Sequence, residues 1–271
     1  MRFSLGRLII ALALTAVVAS TQVAAGEIRL IAHLRGAHEV PPVDTIGSGR
    51  FLGVVNAART QIAYELRIND LDPATITGAQ IQVGAPGANG PAIFVLSGTT
   101  FTPPLTGTLT DLDLVPQPAG GVNTFEDALG KILGGMAYVN VLTTPYPAGE
   151  IRGQIGRIID IKLRKAINPD ANGVIAVGIF SEEDFDARSL DVSGIAFGPG
   201  RAHETHGRGH GGDLNGDGLR DLLLHFRTQE SGIECGDRSV GLVGFTSLGL
   251  RVEGYAAIKT VGCPKEHPKK H

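Results

Sequence analysis

The sequence has no surplus of positive charge. Lys and Arg number 24 against 27 Asp and Glu, a net charge of −3. Phosphate backbones are bound through basic patches, so this balance argues against nucleic acid as a partner. The only basic cluster is the tail "PKEHPKKH", which reads as a solvated end. A basic amphipathic helix of the kind that lies on membranes is also absent. Long apolar runs are equally scarce. The longest, Leu8 to Val18, has 11 residues, where a membrane span needs about 20. No Ser–His–Asp set and no nucleophile elbow is present. The glycine-rich "GAPGANG" is not followed by Lys-Ser/Thr or by a helical pattern, so it reads as a turn and not a phosphate loop. There are just two cysteines.

The one apolar run has a different explanation. Arg2 and Arg7 precede it, and "VAAG" (Val23 to Gly26) places small residues where a signal peptidase reads. Cleavage is expected between Ala25 and Gly26, giving an exported, extracellular or periplasmic protein. Without Arg2 and Arg7, 22 basic residues face 27 acidic ones, a net charge of about −5. No other stretch is a transmembrane candidate. In an exported chain an even pair of cysteines favours a bridge, so Cys235 and Cys263 are expected to form a disulfide.

What is abundant is turn chemistry: 38 glycines and 15 prolines. Between the turns several runs alternate with a period of two. Ile62, Tyr64, Leu66 and Ile68 face one way while Gln61, Glu65 and Arg67 face the other. Ile28, Leu30, Ala32 and Leu34 repeat the pattern, as do Ala137, Val139 and Val141. This describes half-buried antiparallel strands. The expected fold is mainly β: two abutting sandwich or barrel-like modules with one short helix. The helix is "TFEDALGKIL", with Thr124 as N-cap, Asp127 completing a capping box, and Phe125, Leu129, Ile132 and Leu133 on one face. Near Gly156 the vocabulary shifts toward Asp, His and the cysteines. The expected division is a leader at 1–25, a first module at 26–156, a second at 157–263 and a tail at 264–271.

"LRGAHEVPPVDTIGSGRFLGVVN" and "AYVNVLTTPYPAGEIRGQI" are similar to the opening and closing signatures of the CHRD domain, over roughly residues 27 to 156. The resemblance implies an extracellular β-rich module. That family commonly carries a His-Ile-His string and a further His after "YVNV", a set suited to a metal. Here Gln80, Ile81, Gln82 and Leu142 stand at those positions, and no transition-metal site is expected there. His38 and Glu39, beside Pro41-Pro42, are expected to shape a turn. Glu150 and Arg152 are expected to pair with neighbours along a strand.

The second segment, through "INPDANGVIAVGIF" and "DLNGDGLRDLLLHF" to "VEGYAAIKTVGC", resembles a module often appended to secreted bacterial proteins. The resemblance implies a small β-sandwich of accessory or adhesion type with a calcium-loop-like turn. In that turn Asp213, Asn215 and Asp217 alternate, Gly218 follows, Leu219 offers a carbonyl and Asp221 occupies the ninth position of an EF-hand order. Leu224 stands where the bidentate Glu should be, so the loop is not a full EF-hand; Glu204 or Asp237 are candidates to fill the gap. The competing reading is an Asx-turn in which the side chains bond their own backbone. "LLLHF" reads as a buried strand. Ahead of the loop, His203, His206 and His210 form a possible zinc, copper or nickel site, and their glycine-rich setting is equally that of a loop. The chain therefore reads as a non-catalytic binding or adhesion-type protein stabilised by Ca2+, with an unidentified protein, glycan or matrix partner. The alternative is a periplasmic metalloenzyme using the His-rich loop.

Overall fold

A computed structural model describes residues 26–263. The expected leader (1–25) and basic tail (264–271) lie outside the described residues. Among the described residues no helix is long and apolar enough to cross a membrane.

The fold is mainly β, as the alternation predicts. The first part contains β1 (Ile28–Arg35), β2 (Ser48–Val55), β3 (Ile62–Asn69), β4 (Ile76–Val83), β5 (Ala92–Ser97), β6 (Leu105–Leu109), β7 (Ala137–Thr143) and β8 (Ile151–Gln154). Their inward residues form one core. Ile28, Leu30, Ala32 and Leu34 of β1 meet Ile62 and Leu66 of β3 and Val139 and Val141 of β7, with Tyr64 and Ile68 packed against them. Among the described residues there is one α-helix, α1 (Phe125–Leu133), which lies over this core with Phe125, Leu129 and Ile132 buried. Its capping box is complete. Thr124 Oγ1 accepts the Asp127 N–H at 3.1 Å, and Asp127 Oδ2 accepts the Thr124 N–H at 3.0 Å, so two otherwise orphaned donors are satisfied.

The chain then runs through β9 (Gly156–Ile159), β10 (Ile161–Leu163), β11 (Ala166–Ile167), β12 (Val174–Ile179), β13 (Ala196–Phe197), β14 (His210–Gly212), β15 (Asp221–Arg227), β16 (Ser239–Phe245), β17 (Arg251–Ala257) and β18 (Lys259–Thr260). These strands enclose a second core, in which Phe197 and Phe226 stack at 4.8 Å between centroids among Ile159, Val177, Leu224 and Leu242. Ile155 belongs to the first core and Ile159 to the second.

Between the two cores, β9 pairs antiparallel with β1 and parallel with β17, with Ile158 opposite both Arg29 and Glu253. Backbone hydrogen bonding therefore runs without a break from one half into the other. A separate sheet, β10-β12-β15-β14, completes the second half. Cys235 and Cys263 lie at disulfide distance, 5.8 Å between Cα atoms. The bridge ties the loop before β16 to the segment after β18.

Candidate functional site

The amides of Gln80, Gln82 and Asn140 bond in a row. Gln82 Nε2 donates to Gln80 Oε1 at 3.0 Å, and Asn140 Nδ2 donates to Gln82 Oε1 at 3.1 Å and to the Ala148 carbonyl at 3.0 Å. Leu142 is half-buried and offers no ligand atom.

Next to this row the structure departs from the expected surface pairs. Arg152 is 2 % exposed. It donates to Asn89 Oδ1 at 2.9 Å and to the Ala88 carbonyl at 3.0 Å, and its guanidinium lies 3.6 Å from the Tyr138 ring centroid. This stacking and these bonds to an amide oxygen and a carbonyl replace the expected pairing of Arg152 with exposed neighbours. Glu150 turns instead to the hydroxyls of Thr143 (2.6 Å) and Thr45 (2.7 Å). His38 lies in a 3-10 turn, Gly36–His38, with Nδ1 3.3 Å from the Arg152 carbonyl. Glu39 is buried, and burial pushes its carboxyl up to about 7, against the opposing pull of Arg152. Glu39 Oε1 and Asn140 Oδ1 are both buried without a hydrogen-bond partner. Both face Gly149, whose φ is +139°; a Cβ there would lie 2.7 Å and 2.4 Å from them. Protonation of Glu39 turns one of these two acceptors into a donor.

His38, Glu39 and Arg152 line a cleft of about 690 Å3 where the two halves meet. His33, Arg35, His38, Glu39 and Arg152 come from the first half, and Phe245 and Arg251 from the second. Behind it Glu253, only 1 % exposed, accepts hydrogen bonds from His33 Nε2 (3.0 Å), Arg251 Nε (2.8 Å) and the Tyr255 hydroxyl. Burial alone would raise this carboxyl. The three donors outweigh burial and hold it down at about 2. The cleft wall thus carries Arg35, Arg152 and Arg251 against Glu39 alone, with Glu253 behind it, on a protein whose net charge is negative. Phe245 is 44 % exposed. Among the described residues no Ser, Thr, Cys or Lys lines the cleft.

The acidic loop is built from turns. Asp213 accepts the N–H groups of Gly216 (2.6 Å) and Gly218 (3.0 Å), Asn215 Oδ1 that of Asp217 (3.1 Å), and Asp217 Oδ1 that of Leu219 (2.8 Å). Those N–H bonds hold Asp213 below the usual carboxylate range. Gly216 and Gly218 have φ of +84° and +88°, the left-handed region glycine favours. Asp221, fully buried, accepts the Ser181 N–H at 2.9 Å and the Leu214 N–H at 2.7 Å, anchoring the loop from beneath. Leu224 is in the core of β15. Asp237 caps the Glu234 N–H at 2.9 Å.

Glu204 is also taken up elsewhere. It is 8 % exposed and accepts the N–H groups of His206 (2.6 Å), Arg208 (3.2 Å) and His225 (3.2 Å). Burial opposes ionisation, but these N–H groups prevail and keep its carboxyl low. Around it His206, His210 and His225 gather, with one ring nitrogen from each within 4.8 Å of the others. His203 is exposed and stands outside this group. His225 takes its place, a residue that sequence spacing did not single out.

The model of the CHRD domain family matches residues 30–155. No curated protein matches the chain. One solved structure is described as "Structural insight into host cell surface retention of a 1.5-MDa bacterial ice-binding adhesin". It is 10% identical, with 86% of each chain covered and a TM-score of 0.24, a similarity too low to carry an argument. The matched residues run from β1 to the end of β8, a little under half of the chain.

Proposed function

We propose that this is an exported, non-catalytic binding protein of adhesion type that holds an acidic glycan in the cleft between its two halves. The observation that carries the reading is the meeting of Arg35 and His38 from one half with the exposed Phe245 from the other. An aromatic face packs on the apolar side of a sugar ring. Guanidinium groups accept carboxylate or sulfate in a two-pronged geometry. A cleft of this volume fits small ligands better than a protein surface. Glycoside cleavage needs a pair of carboxyls flanking the bond, and the lining supplies only Glu39. The test is calorimetric titration of the tag-free mature chain, in EDTA, with oligogalacturonate and with a neutral oligosaccharide of equal length. Binding is expected for the acidic ligand alone, weakening as pH rises through about 7, where Glu39 ionises. Equal affinity for both, or none for either, contradicts the reading.

The same proposal gives the 213–221 loop a structural Ca2+. Its donors are hard oxygens suited to that ion: Asp213, Asn215 and Asp217 side chains and the Leu219 carbonyl, with Asp221 fixing the loop from below. A ligand bound only by the folded state stabilises it by about 2.7 kcal/mol at one hundred times its Kd. The metal-stripped protein is expected to melt higher in millimolar calcium than in EDTA, and Asp213→Ala or Asp217→Ala should abolish the difference. Identical melting in both buffers removes calcium from the account.

A further inference from the structure

We infer that His206, His210 and His225 form a transition-metal site, of Zn2+ type, oriented by Glu204 and independent of both the cleft and the acidic loop. The site is assembled by strand pairing, not by spacing along the chain. In β15, Leu222, Leu224 and Phe226 point into the core, which leaves Leu223 and His225 on the opposite face. His210, on β14, sits opposite Leu223, diagonal to His225 and on the same face, within reach across a sheet. Before β14 the chain runs back along β15. Glu204 bridges Phe226, and the Thr205 N–H bonds the His225 carbonyl at 2.9 Å. Gly207, at φ +65°, then turns the chain and leaves His206 over the pair. The three rings form a near-equilateral triangle with centroid separations of 5.5, 5.6 and 5.8 Å.

Two further observations point to a ligand. His206 Nδ1 lies 3.2 Å from Glu204 Oε1. An ionised carboxylate there holds the proton on Nδ1 and leaves Nε2 free, the carboxylate–histidine arrangement that supports metal ligands. His225 Nδ1 is buried and has no hydrogen-bond partner; a buried ring nitrogen left unpaired is costly. Three neutral imidazoles suit zinc or copper, not calcium or magnesium. Ligands at zinc's bond length stand about 3.3 Å apart, so the rings must close in from their present spacing. The glycines at 207, 209 and 211 give the loop that freedom. His206 and His210 are exposed, so a metal can enter from solvent, and a fourth position stays open to water or to a donor from outside the site.

The experiment is calorimetric titration of tag-free, chelator-stripped full chain with Zn2+ alone. One Zn2+ per chain is expected. His225→Gln and His210→Ala are each expected to weaken binding about tenfold or more, and Glu204→Gln by a comparable factor through His206. His203→Ala is expected to change nothing. His210 is exposed, so its variant keeps the test valid if the His225 variant fails to fold. No zinc uptake, unchanged affinity in His210→Ala, or an equal loss in His203→Ala overturns the proposal. Loss of oligogalacturonate binding with zinc binding intact counts against the cleft alone, so the two readings fail separately.

Discussion

Replacing Glu253 with alanine is expected to lower the unfolding free energy by about 3–5 kcal/mol, the range for removing one member of a buried ionic cluster. Its partners come from both halves of the protein. His33 is on β1 of the first, while Arg251 and Tyr255 flank Glu253 on β17 of the second. The seam between the halves also carries backbone pairing through β9 and the more exposed ion pairs Arg29–Asp160 and Arg59–Asp184, so this carboxylate is its buried electrostatic clasp. Without it, Arg251 and the Tyr255 hydroxyl lose their acceptor in a partly dry setting. Glu253→Gln keeps the shape and loses the charge, so its effect should be smaller. The pH dependence follows from the depressed pKa. The stabilisation is fully present above the carboxyl's ordinary value near 4.5 and is lost as pH falls toward about 2. Urea titration of both variants measures this; a loss under about 1 kcal/mol in Glu253→Ala contradicts the clasp.

Glu39 gives the opposite slope. Its pKa is raised in the folded protein, so the protonated form is the stabilised one. That contribution is complete below about 4.5 and lost as pH rises through about 7. Discounted for solvent screening, the difference corresponds to about 1–3 kcal/mol at high pH. Glutamine mimics the protonated acid in size and supplies a donor for the buried Asn140 Oδ1. Glu39→Gln is therefore expected to be more stable than the parent at pH 8 by up to about 3 kcal/mol, with the gap closing toward pH 4. Parallel stability curves for the two proteins between pH 4 and 8 would show that Glu39 titrates normally. The two carboxyls act in adjoining windows, Glu253 below about 4.5 and Glu39 above it.

What was legible in the sequence was local. Alternation gave the inward faces of β1, β3 and β7, because a period of two is written into each strand by itself. Thr124 and Asp127 announced the helix start, because a capping box spans only a few residues. The missed features depend on which strands become neighbours. His225 lay hidden inside "LLLHF", where its place in an apolar run suggested packing; only the pairing of β14 and the back-running loop brings His210 and His206 to it. Arg152 looked like a surface cation, but the chain at Ala88 and Asn89 folds over it. Asp221 sat in a ligand position of the loop motif, while Ser181, 40 residues earlier, supplies one of the N–H groups that hold it. The cleft needs both halves in contact, and no local pattern encodes that seam.

The central claim is that the cleft joins the two halves into one ligand site, and affinity for oligogalacturonate in matched variants tests it most directly. Arg35 and Phe245 come from opposite halves, and both are exposed, so neither substitution should disturb folding. Arg35→Glu and Phe245→Ala are each expected to weaken binding by about tenfold or more, with the Arg35 variant also losing part of its salt dependence. If either variant binds like the parent, the ligand is not held between the halves, and the account of the cleft is wrong.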